Sequence, residues 1–453
     1  MDMMRILTVA LPPSLRIYTE RIQASPLYTR MLRGAFWSVI GMVSSRVLTL
    51  AATILSARRL GKEIYGELAI VIATVATCQV LAGLGTGLTA TKHIAEFRAN
   101  DPAKAGRIMA LCTVTAGIGG LLMSLILLLF APWIAERALG GTHLSETLKI
   151  GSFLLLLGSL GESQTGMLAG FESFKALAIA NIVSGIASFP LIIGGVYWFG
   201  LNGALWGMAA SAGITCAINY FALRYVSKRA GVELNFKGCF QEWRILRDFS
   251  GPASLAGAIV APVNWICTVI LVNRMNGYSE LGIYNAANQW FMVLMFLPGI
   301  LGQVTLPMLA ERLGQNDRKG LAEILKISIW TNAIAVVPLV ALASVGSSFL
   351  MRLFGNEFQG EWPTLITSLI TAATLCVQIP VGQLIAATGH MWTGFLMNLA
   401  WGTAFVIASY FLVSNGAVGI AAARLIAYGL HAIWTFGFAF FITRRHRETI
   451  SYE

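Results

Sequence analysis

The chain has 453 residues, of which 56% are hydrophobic and 12% charged, with a mean hydropathy of +0.71. Soluble domains carry roughly 25% charged residues, so this composition excludes a water-soluble globule and points to an integral membrane protein. The net charge of +11 then reports topology and contact with anionic lipid before it reports nucleic acid.

In chain order, the first segment (residues 1–30) opens "MDMMRILTVALPPSLRIY". Its acidic start and short apolar stretch before two prolines do not make a signal peptide. Its basic residues suit a segment lying on the membrane surface. Helical spans follow near 34–57, 68–92, 108–135 and 149–171. Residues 176–223 are uncharged and hold two spans divided at "FGLNGAL", where the Asn-Gly pair predicts a tight turn. Residues 249–273, 281–310 and 327–351 hold one span each. From 362 the chain crosses three more times, with breaks at "ATGHMW" and "VSNGAV", the last span covering 417–443.

That makes twelve spans of about 20 apolar residues each. Lipid satisfies no backbone group, so spans must be helices or a closed barrel. Long apolar runs without strict alternation exclude the barrel.

Orientation follows from the basic residues: with the N-terminus cytoplasmic, inside segments hold 22 of the 32 lysines and arginines and outside loops only seven. Both termini are therefore expected on the cytoplasmic side. Six cysteines without a CxxC pattern read as small buried hydrophobes, with no metal site indicated.

The chain also repeats itself. "LGKEIYGEL" (Leu60–Leu68) returns as "NGYSELGIY" (Asn276–Tyr284), and "NGALWGMAAS" from Asn202 returns as "NGAVGIAAA" from Asn415. The matches keep their order at a shift near 216, so the chain reads as a duplicated six-helix unit. The expected division is an N-lobe over 31–228, a linker over 229–243, a C-lobe over 244–443 and a tail over 444–453. Six passes per half make the repeats parallel about an axis along the membrane normal, with cargo expected at their interface.

The order of a helix, a basic residue, "LGKEIYGELAIV" and the glycine-rich "AGLGTGLTATKHIAEF", followed by a repeat of that plan, resembles bacterial polysaccharide flippases. These are the O-antigen and lipid-linked oligosaccharide translocases of the multidrug/oligosaccharidyl-lipid/polysaccharide exporter superfamily. The resemblance implies an all-α, V-shaped transporter of two lobes in the bacterial inner membrane, working by alternating access. It implies undecaprenyl-diphosphate-linked glycan as cargo, membrane lipid around it, and a polysaccharide polymerase and chain-length proteins as partners. No cofactor, metal or nucleic acid is expected. The peptidoglycan lipid flippases of the superfamily usually carry fourteen helices. Its multidrug antiporters use buried acids in the first and seventh helices, where this chain has Arg46 and Asn264.

Ionisable residues within spans are costly and face a cavity or a partner. Arg46 shares a polar helical sector with Ser45, Thr49 and Thr53, and Arg424 begins a stripe through Tyr428, His431 and Thr435. Arginine's planar fork suits pyrophosphate oxygens, so these two are the first candidates for the anionic head, followed by Lys92 and Arg274. Asn285, Asn288, Gln289 and Trp290, with Tyr284 beside them, could meet sugar hydroxyls and faces, or join helices by hydrogen bonds. Glu162 is the acid in the middle of a span, a coupling proton site or the counter-charge of an arginine. His431 is a second proton candidate or a structural histidine. Lys92, His93 and Glu96 mark a gate or the membrane interface.

A membrane-embedded sugar-transfer enzyme would need acids or arginines in a sizeable outside loop, and the longest here, about 133–147, is too short for a catalytic lid. A secondary drug or metabolite exporter of the same superfamily is the other alternative.

Overall fold

The structure, a computed structural model, describes residues 26–250, 258–315 and 317–444. Residues 1–25 of the surface segment expected over 1–30, and residues 445–453 of the tail expected over 444–453, lie outside the described residues. Among the described residues there is no strand. The long helices are α1 (Pro26–Gly83), α2 (Thr86–Phe97), α3 (Pro102–Trp133), α4 (Leu144–Gly170) and α5 (Phe174–Arg229). After the linker come α6 (Val260–Val272), α7 (Gly277–Gly314), α8 (Arg318–Val345), α9 (Trp362–Ala387), α10 (Met391–Leu412) and α11 (Gly416–Arg444).

Eight stretches are long and apolar enough to cross a membrane, and three of these, of 41, 56 and 52 residues, contain a break and cover two passes each. With the shorter apolar helix Val260–Val272, the described residues make twelve passes. The breaks fall at Gly61 (φ 77°), Gly200 (φ 58°) and Gly416 (φ 62°). The turn expected at Asn202–Gly203 therefore lies at Gly200, whose φ and ψ of 58° and −131° only glycine adopts readily. Asn202 already belongs to the next helix, where its Oδ1 accepts from the Thr147 hydroxyl at 2.9 Å. On the loop before α8, Asp317 caps the helix by accepting from the Gly320 amide at 2.9 Å. That amide, with Arg312 beside it, holds the Asp317 carboxyl below its usual range.

Helices α1 to α5 pack as one lobe, chiefly α1 on α5 and α4 on both α3 and α5. The second lobe is built on α7 against α9, α10 against α11 and α9 against α11. The largest contact between lobes is α1 with α7. Pro298 and Pro307 lie within α7 without ending it.

The orientation is testable at two exposed residues, Met275 in the α6–α7 loop and Lys237 in the linker. With the six native cysteines replaced, Met275→Cys should react with an impermeant maleimide in intact cells and Lys237→Cys should not. The reverse pattern would invert the topology.

Candidate functional site

The repeated sequence meets itself in space. A Cβ built on Gly66 would lie 1.7 Å from the Tyr278 carbonyl oxygen, and one on Gly282 would lie 2.0 Å from the Lys62 carbonyl oxygen. Residues 62 and 66 correspond to 278 and 282 at the repeat shift of 216, so the contact is symmetric between lobes. The second glycine of each hinge lets the two backbones touch, as small residues do in membrane helix crossings.

Around this crossing the lobes are fastened together. Asn273 Nδ2 donates to the Ala138 carbonyl at 2.7 Å, the Tyr278 hydroxyl to the Leu139 carbonyl at 2.7 Å, and the Lys62 amide to Glu357 Oε2 at 3.0 Å. The buried Tyr65 ring packs on Phe354 and Phe358, each centroid 6.3 Å away. Deeper in, Trp265 Nε1 donates to the Thr74 hydroxyl at 2.9 Å. Nearer the linker, the Thr77 hydroxyl reaches the Ala261 carbonyl at 3.5 Å, and Thr89 meets Ser250 at 2.5 Å. The interlobe cleft is thus sealed at the end carrying the Gly61 and Gly277 turns.

Arg46 lies about 22 Å along α1 from that seal. It is part-buried, and among the described residues no side chain pairs with its guanidinium. On the same polar face Thr49 and Thr53 bond back to the Ser45 and Thr49 carbonyls at 2.9 Å.

Arg424 lies about 12 Å along α11 from the seal. It donates to Asn288 Oδ1 at 2.8 Å and approaches the Tyr284 hydroxyl at 3.4 Å. Its guanidinium stands 4.0 Å from the Phe291 ring centroid, and its Nε is buried with no acceptor among the described residues. Neither arginine meets a carboxylate among the described residues.

Glu162 takes a hydrogen bond from Gln79 on α1 rather than pairing with either arginine. Gly83 and Gly87 lie against it, since a Cβ on either would stand 3.4 Å from a Glu162 side-chain atom. Between them, at Leu84 (φ 43°) and Gly85 (φ 67°), the second span is interrupted. Broken spans beside a polar group are a recurring feature of transporter midplanes. Neither the break nor Gln79 emerged from sequence reasoning, although "GLGTG" carried the signal for the break.

The repeat counterpart of Glu162 is Gln378. Its Nε2 donates to the Thr374 and Tyr428 carbonyls at 3.0 and 3.2 Å, which orients the amide. Its Oε1 therefore accepts from His431 Nδ1 at 2.8 Å. His431 borders a cavity of about 330 Å³ shared with Gln383 and Asn398.

The other candidates disperse. Gln289 faces the Tyr65 hydroxyl across the lobes, and Asn285 is half-buried on the same helix. Trp290 packs edge-on to Phe354, 6.4 Å between centroids, within the seal. Lys92 is exposed on α2, near His93, whose Nδ1 meets Glu96 at 3.0 Å. Arg274 is exposed in the α6–α7 loop and lines surface recesses with Glu63 and Glu280. Arg274, a candidate for the anionic head after Arg46, Arg424 and Lys92, lies in the turn Asn273 to Asn276 outside the helices, at the sealed surface and apart from Arg46 and Arg424.

A family model described as polysaccharide biosynthesis protein matches residues 31–312, and the MatE model matches 252–418. The chain is 28% identical over 191 residues to the EPS I polysaccharide export inner membrane protein EpsE of Ralstonia solanacearum, covering 42% of this chain and 44% of that one. It is thus aligned with less than half the length of that relative. It is 21% identical to the putative O-antigen transporter of Shigella flexneri over 89% of this chain and 96% of that one.

Among solved structures, an inward-facing multidrug resistance MATE family transporter of the MOP superfamily superposes with a TM-score of 0.78 at 15% identity, covering 91% of this chain and 99% of that one. The lipid II flippase MurJ in its inward closed conformation gives 0.68 at 14%, covering 89% and 87%. The fold is that of these two-lobed transporters. The chain belongs to the polysaccharide biosynthesis protein family.

Proposed function

We propose that this transporter is a flippase for an oligosaccharide carried on undecaprenyl diphosphate, moving it from the cytoplasmic to the outer leaflet of the inner membrane for surface polysaccharide synthesis. The observation that carries the reading is the pair of intramembrane arginines without a carboxylate partner among the described residues. Two guanidinium groups held without a counter-charge favour an anionic visitor, and pyrophosphate supplies oxygens in the geometry their forks bind. The names of the relatives, polysaccharide export and O-antigen transport among them, support the same cargo class. A cationic drug would meet repulsion at both arginines, which disfavours the exporter reading.

Liposomes containing the purified chain and a fluorescent lipid-linked oligosaccharide test this directly. The chain should expose the glycan to an impermeant glycosidase faster than protein-free liposomes do. Failure to do so, together with efflux of a cationic dye, would establish the exporter instead.

Glu162 is proposed as the coupling group, because it borders the broken span and no arginine among the described residues neutralises it. Glu162→Gln keeps the shape and the hydrogen bond to Gln79 but cannot titrate. It should reach the membrane normally, lose transport and lose the response of transport to pH. An unchanged pH response at wild-type rate would remove Glu162 from coupling.

A further inference from the structure

At the linker end of the first lobe, outside the interlobe cleft, α3, α4 and α5 enclose a cavity of about 740 Å³ beneath the linker. Met109, Leu160 and Met167 give it an apolar floor. Ser163 and Gln164 of α4 stand in its wall, and Ser163 Oγ and Gln164 Oε1 are buried without a partner among the described residues. At its rim Arg224 and Lys228 stand one turn apart on the last turns of α5, with Tyr220 and Phe236 beside them. Neither cation makes a side-chain hydrogen bond or ion pair among the described residues. Glu233 also borders the rim, and its backbone is pinned elsewhere: a Cβ on Gly106 would lie 2.0 Å from the Glu233 carbonyl oxygen.

Apolar floor, unpartnered hydroxyl and amide, cationic rim and flanking aromatics are the profile of one lipid molecule. The chains fill the floor, the glycerol region meets Ser163 and Gln164, and the phosphate meets the two cations. Basic pockets between helices favour anionic headgroups, and aromatic side chains mark the headgroup level. We infer that this cavity is a resident site for an anionic glycerophospholipid. Cargo is the less suitable occupant, because every wall belongs to the first lobe or to the linker packed on it. Rocking of one lobe against the other leaves such a cavity on the same side of the membrane, so nothing held there is carried across.

Native mass spectrometry of the full chain tests this with phosphatidylglycerol, phosphatidylcholine and undecaprenyl phosphate as probes. The wild type should retain one phosphatidylglycerol in preference to phosphatidylcholine. The double variant Arg224→Gln, Lys228→Gln should bind phosphatidylglycerol roughly 30-fold more weakly and leave phosphatidylcholine unaffected. Arg229→Gln is the control: this arginine stacks over Tyr225 at 5.2 Å and does not line the cavity, so its loss should change nothing. Three results would overturn the site: equal retention of both phospholipids by the wild type, equal weakening by the Arg229 and double variants, or displacement of phosphatidylglycerol by undecaprenyl phosphate. Thermal shifts with each lipid separate loss of binding from loss of fold, since a folded double variant should melt at the wild-type temperature without lipid.

Discussion

Gly66→Ala and Gly282→Ala will each hold the sealed end of the cleft open. The new methyl would stand 1.7 Å from the Tyr278 carbonyl oxygen in one variant and 2.0 Å from the Lys62 carbonyl oxygen in the other. Both obstacles are backbone, so no rotamer change relieves them, and the helices must part. Parting them stretches the Asn273, Tyr278 and Lys62 hydrogen bonds that cross the same seam. Three such bonds at about 1 kcal/mol each, added to overpacking of about 1–3 kcal/mol, disfavour the sealed state by roughly 4–6 kcal/mol. At 1.4 kcal/mol per factor of ten, that shifts the equilibrium by roughly a thousandfold or more. Each lobe keeps its own core, so the protein still folds. Spin labels at Met275 and Arg137, on either side of the seam, should report longer distances in both variants, and transport should fall with them. Unchanged distances and full transport would show that the glycine pair is not the gate.

The second large effect is expected at Arg46 and Arg424, with a different signature at each. Arg424 holds Asn288 through a charge-assisted bond of about 1.5–3 kcal/mol and covers the Phe291 ring, a contact worth up to about 2 kcal/mol when desolvated. Arg424→Ala should therefore lower both the melting temperature and transport. Arg46 has no side-chain partner among the described residues, so Arg46→Ala should melt like the wild type and still transport roughly 10- to 100-fold less, if its phosphate contact contributes the same 1.5–3 kcal/mol. Lysine at either position restores charge without the bidentate fork and should rescue only in part. Glycan display at matched expression reads the transport arm. Wild-type display by both alanine variants would remove the arginines from cargo binding.

The span pattern was legible because lipid imposes a simple requirement, about 20 apolar residues with every backbone group satisfied internally, and glycines mark where helices stop. The turn at "FGLNGAL" was misplaced by a few residues because Asn-Gly and the preceding Gly200 carry the same local signal, and only backbone geometry separates them. Arg46 and Arg424 stood out as charges in apolar runs. Their partners did not, because Asn288 is remote from Arg424 in sequence, and a repeat shift relates equivalent positions rather than touching ones. Gln79 was invisible for the same reason: an amide in a span is unremarkable until a carboxylate is found opposite. The loop position of Arg274 was not legible either, because a basic residue flanking a span reads alike whether it turns inward or ends in the loop.

The seam between Gly66 and Gly282 is isologous, in the sense used for two-fold dimers: each half offers the same surface, and residue 62 or 66 of one answers 278 or 282 of the other. A six-helix unit that paired with its own copy through this surface would need no new interface when the two became one chain. Fusion would add only a connector, and it would free each half to change separately. The arginines carry that divergence, since Arg46 has no counterpart arginine near position 262 and Arg424 none near 208. A symmetric hinge thus holds two dissimilar walls, one carrying its arginine deep within the membrane and the other close to the seam.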